Sequence, residues 1–153
     1  MKKFRFPLRS VTTIRNLREL RAREQFSAAV HAYVAADERL QTIRAKLTEL
    51  EDILRSGRAQ RFRPSDEISF IQAFKDETLT ATKAEADVAT ARNAMEAARK
   101  AWLESRRDLR VLENLERKAR TLHRHEAERE NQAALDDRTS SLVARETSLR
   151  NHE

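Results

Sequence analysis

Metal and acid–base chemistry have few carriers in this chain. Its four histidines are His31, His123, His125 and His152. On a helix, residues two apart diverge by about 200°, so His123 and His125 lack the i, i+4 spacing that brings two ligands to one face. Both are expected on the solvent side, with His31 beside an apolar stripe and His152 in a terminal tail. The acid pairs Glu51–Asp52 and Asp136–Asp137 fall on predicted helix surface or tail, with no pocket to shift a carboxyl pKa. With no cysteine, thiol nucleophiles, thiolate metal sites and disulfides are excluded. A single glycine excludes a glycine-rich loop that cradles phosphate. The sequence therefore reads as a non-enzyme with no cofactor and no metal.

What remains is the chemistry of charged and apolar surfaces. The net charge of +6 is uneven. Residues 1–25 carry eight Lys or Arg against two Glu, and residues 99–129 carry ten against six acids. The stretches 26–98 and 130–153 are each −2. Near the start, KKFRFPLRSV (2–11) alternates cations with Phe4 and Phe6. Such a basic, aromatic surface suits an acidic partner. Nucleic acid is the competing reading, with phosphates neutralised and bases stacked on Phe4, Phe6 and Trp102. Against it, Glu19, Glu24, Glu104, Asp108, Glu113 and Glu116 sit among the cations, and no recognised nucleic-acid motif is present. The apolar counterpart is ISFIQAF, where Ile68, Phe70, Ile71 and Phe74 exceed what one helical stripe hides. They either plug a turn against Leu50, Ile53, Leu54 and Phe62, or expose a docking patch.

These residues need helices to position them. Charged residues are 37% of the chain and there are two prolines, Pro7 and Pro64, a composition poor in the punctuation of sheet folds. Small and apolar residues recur at Ala22, Phe26, Ala29, Tyr33, Ala36, Leu40, Ile43, Leu47, Leu50 and Leu54. The steps alternate four and three, the a/d pattern of a helix that packs on a partner. SGRAQRFRP (56–64) holds the turn signals, and Ser65 offers an N-cap ahead of Asp66 and Glu67. A second seam runs through Phe70, Phe74, Glu77, Ala81, Ala84, Val88, Ala91, Met95, Ala98, Trp102, Ser105, Leu109 and Leu112. It is expected to slip to Leu115, Ala119 and Leu122.

The expected fold is all-α: a long two-helix antiparallel coiled-coil hairpin with an overhanging C-terminal helix. It forms a single domain, with helix 1 at about 8–55, the turn at 56–64, helix 2 at 65–128 and a frayed or disordered tail at 129–153. The turn position sets the register. Leu50 should lie near Phe70, Leu40 near Ala81, Trp102 just before Ala22, and Phe4 and Phe6 opposite 112–116. No run is apolar enough to span a membrane, and the basic start lacks the apolar run of a secretory signal.

FRFPLRSVTTIRNLRE at the start and LENLERKARTLHRHEAERENQAALDD (112–137) resemble the FliJ family of flagellar type III export. In these motifs F-x-F-x-L opens a helix, and an acidic run ends in Asp136-Asp137. The resemblance implies a stalk-like antiparallel coiled coil in the hexameric ring of the export ATPase, promoting its assembly and activity. It also implies contact with the cytoplasmic domain of the export gate, with export chaperones and the ATPase regulator as further partners. The expected location is cytoplasmic, peripheral to the inner membrane at the flagellar base. On this basis Phe4, Arg5, Phe6, Arg9, Arg15, Arg18, Arg106, Arg107 and Arg110 are expected to meet the ATPase. Ile68, Phe70, Ile71 and Phe74 are expected to meet the gate. The equivalent stalk of a virulence secretion system, or a basic scaffold or nucleic-acid binder, are the alternatives.

Overall fold

Two helices follow from the two heptad seams: α1, Arg9–Ala59, and α2, Pro64–Arg150. The structure is a computed structural model and describes residues 3–60 and 63–150, apart from the side chains of residues 146 and 148–150. Lys2, Phe62 and His152, to each of which the sequence assigns a place, lie outside the described residues. All-α architecture is confirmed, as two long helices packed against each other. No separate overhanging helix is present among the described residues, and the extra length belongs to α2, which has 87 residues against 51.

The helix ends correct the expected turn. Gly57 does not stop α1, which runs on to Ala59 and closes with the Gln60 amide donating to Ser56 O and Gly57 O. Gly57 is half-buried, on the same four-three stripe as Leu50 and Leu54. Its cost of about 1 kcal/mol relative to Ala is small enough for packing to override. Pro64 is the first residue of α2, where a missing N–H costs nothing. The free amides of Asp66 and Glu67 donate instead to Arg63 O, so Ser65 lies inside the first turn and is not the cap. Pro7 sits in a turn in which the Arg9 amide donates to Phe6 O, just before α1 begins.

The helical pair forms two compact units. One spans Leu17–Arg106 and contains the buried core: Leu40, Ile43, Ala81 and Ala84, with Leu47 and Val88 packed against them. Large α1 side chains face alanines of α2, which lets the backbones approach. Leu40 thus meets the neighbourhood of Ala81 as expected. Cross-helix ion pairs join Arg58 to Glu67 and Arg44 to Glu85, so partner numbers climb on α2 as they fall on α1 and the helices are antiparallel. Trp102 stacks on Phe26 at 5.6 Å and donates its indole N–H to Glu19 Oε1 at 2.8 Å. It therefore straddles the Ala22 turn rather than preceding it.

The other unit comprises the residues up to Asn16 and those from Arg107 onward. Here the seam does not slip to the leucines. On α2, Leu109, Leu112, Glu116, Ala119 and His123 are the buried or half-buried positions that continue the four-three alternation, and Ala127 follows after a second step of four. Leu115 and Leu122 are 44% and 63% exposed. Packing follows the phase set by the preceding heptads, because a helix cannot rotate its stripe without breaking the contacts already made. From residue 131 to 145 every residue is exposed, yet α2 runs on to Arg150. Its Ala, Glu, Arg, Gln and Leu content favours helix without a partner.

Truncating a seam residue must therefore cost more than truncating a larger exposed one. Leu40→Ala should destabilise by about 2–4 kcal/mol, and Leu122→Ala by no more than about 0.5 kcal/mol, in denaturant titrations followed by helical circular dichroism. Equal losses would contradict a seam that runs through Leu40 and bypasses Leu122.

Candidate functional site

The basic N-terminal arm is a short segment without regular secondary structure, Lys3 to Phe6, leading through the Pro7 turn into α1. Phe4 and Phe6 are half-buried while Arg5 and Arg9 are exposed. Exposure alternates along the arm, with Lys3 and Arg5 outward and Phe4 and Phe6 inward, and Arg9 is exposed as the first residue of α1. Phe4 meets α2 further along than the expected 112–116. Its ring lies edge-on to His123 at 5.5 Å, and the Arg120 guanidinium sits 5.7 Å from its centroid. This contact overturns the exposed placement of His123, which is half-buried. His125 is exposed as expected, with Nδ1 3.5 Å from Glu128.

Between the arm and α2 an open cleft of about 640 Å³ is walled by Phe4, Phe6, Arg5, Arg9, Glu116 and Arg120. Arg120 donates to Glu116 Oε1 at 2.9 Å within α2. Arg15, half-buried on the seam, donates to Asp108. Arg107 and Arg110 are exposed on the same unit. Sequence reading missed Glu116, Arg120 and His123. The signal available for Glu116 and His123 was the heptad phase carried past Leu112, which selects 116, 119 and 123 whatever residues stand there.

In the unit Leu17–Arg106, Arg18 is exposed and Arg106 lies 5.5 Å from the centroid of the Trp102 ring, a cation–π contact. The four apolar residues of ISFIQAF divide. Phe70, Ile71 and Phe74 are half-buried, and Ile68 is 59% exposed. Phe70 and Phe74 occupy the seam, and Ile53 on α1 is also exposed. Burial thus divides the set, with Phe70, Ile71 and Phe74 half-buried and Ile68 outward. No group of three or more His, Asp or Glu able to hold a metal occurs among the described residues. Among the described residues, no helix is long and apolar enough to cross a membrane.

Paired heptad seams, a basic arm and two packed helices define a coiled-coil helical protein. A family model described as flagellar FliJ protein matches residues 4–148. The chain belongs to the FliJ family, non-catalytic components of the flagellar export apparatus. No curated protein and no solved structure matches it.

Ile71→Asp should lower the melting temperature by several degrees, because a carboxylate would enter a half-buried seam flank. Ile68→Asp should leave it nearly unchanged. Thermal melts of the two variants check this directly.

Proposed function

We propose that this chain is the stalk of the flagellar export apparatus, bound in the hexameric ring of the export ATPase. It promotes ring assembly and activity and links the ring to the cytoplasmic domain of the export gate. Export chaperones and the ATPase regulator are further contacts, and the protein works in the cytoplasm against the inner membrane at the flagellar base. The observation that carries this reading is the family match over residues 4–148 together with two long packed helices. The same match favours a flagellar system over a virulence one.

Phe4, Arg5, Phe6, Arg9, Arg15, Arg18, Arg106, Arg107 and Arg110 are the ATPase-facing set. Excess positive charge in residues 1–25 and 99–129 supports it, since electrostatic complementarity steers association with an acidic surface. Arg5, Arg9, Arg18, Arg107 and Arg110 expose their side chains. Arg15 and Arg106 are partly engaged by Asp108 and Trp102 and would act more by holding the surface in place. Ile68, Phe70, Ile71 and Phe74 are the gate-facing set, with Ile68 the side chain most open to a partner.

Hydrolysis by the cognate export ATPase should rise when the chain is added, with rings visible by electron microscopy. Reversing Arg106, Arg107 and Arg110 to Glu should weaken ring association by about tenfold or more while leaving helicity intact. No stimulation and no rings would sink the stalk reading. Undiminished binding by the reversed variant would remove the charge argument.

A further inference from the structure

The cleft between the N-terminal arm and α2 has a composition that selects a ligand. Among the described residues, the guanidiniums of Arg5 and Arg9 take part in no ion pair. The acid in the wall, Glu116, is already held by Arg120. The wall thus offers three guanidiniums against one carboxylate, an excess of two positive charges. Phe4 is fixed between Arg120 and His123, and both Phe rings contribute apolar surface to the wall. Thr12 and Thr13 donate their hydroxyl protons to Leu8 O and Arg9 O, so the neutral donor left in the wall is the Asn16 amide.

The geometry points to a binding site for a short linear peptide that carries two carboxylates spaced around an apolar side chain. Free guanidiniums recognise carboxylates through paired N–H donors, and two of them match the excess charge of the wall. The aromatic surface requires carbon on the ligand, which an inorganic anion lacks. The two unpaired guanidiniums sit on separate elements, Arg5 on the arm and Arg9 at the start of α1, which suits two single charges held apart. A volume of about 640 Å³ lies within the range of roughly 300–1,000 Å³ that encloses ligands of this size.

The test is fluorescence anisotropy at physiological ionic strength, using the full chain and a fluorescein-labelled hexapeptide alternating Glu with Leu. The same peptide with Gln for Glu should bind about tenfold or more weakly, the loss of charge-assisted hydrogen bonds. The double variant Arg5→Ala, Arg9→Ala should lose at least as much. Arg129→Ala with Arg138→Ala removes the same charge from exposed positions outside the cleft and should change the affinity less than about twofold. Asn16→Phe fills the cleft from α1 while keeping both arginines, and it should abolish binding. The proposal is overturned by equal binding of the Gln peptide, by equal losses in the two double variants, or by wild-type affinity in Asn16→Phe. Displacement of the peptide by an equal concentration of inorganic phosphate overturns it too. The cleft overlaps the proposed ATPase-facing set but is inferred from its own geometry. A chain that stimulates the ATPase and ignores the peptide refutes the cleft alone.

Discussion

The phase of one apolar stripe on each helix governs this molecule. With few large apolar residues, burial is confined to a seam, and its tightest part is where Leu40 and Ile43 meet Ala81 and Ala84. Small side chains on α2 let large ones on α1 reach the partner backbone, which fixes axial register as well as contact. Every other cross-helix pairing inherits that phase. Arg44 reaches Glu85, and Trp102 finds both an aromatic face in Phe26 and a proton acceptor in Glu19. A seam tryptophan needs an acceptor for its N–H, which gives a physical reason for an acid at a stripe position.

The unit holding the chain start pays for that continuity in composition. There the stripe contains Thr12, Arg15, Glu116 and His123, while Leu8, Val11, Ile14, Leu115 and Leu122 face outward. Polar seam residues supply little burial, and the aromatic arm makes up part of the deficit. Phe4 covers the stripe beside His123, held by a ring edge and a guanidinium. The same arrangement leaves Arg5 and Arg9 pointing away from the seam. Exposure thus alternates over Lys3 to Phe6, while Arg9 is exposed on the first turn of α1.

Most of the fold was legible because heptad spacing is a strong periodic signal. Ala22 to Leu54 and Phe70 to Leu112 mark the two contact stripes as read, and their pairing as a hairpin follows. What failed was local. Gly57 reads as a terminator, but packing outweighs a modest propensity cost and α1 runs on to Ala59. Leu115 and Leu122 looked like seam residues because they are leucines, whereas phase continuity selects Glu116 and His123. The cleft was not legible for the same reason: Arg120 and Glu116 join the arm only once the register is known. In sequence ISFIQAF fits plug and patch equally, and burial divides it, with Ile68 outside and its neighbours half-buried.

Register at the arm is the point where a different phase would leave the clearest trace. The chain has no cysteine, so introduced pairs report without background. Phe4→Cys combined with His123→Cys should be joined within one molecule by a short bismaleimide, and Phe4→Cys combined with Leu115→Cys should not. Efficient joining of the second pair, with none of the first, would contradict the continuous seam and everything placed by it.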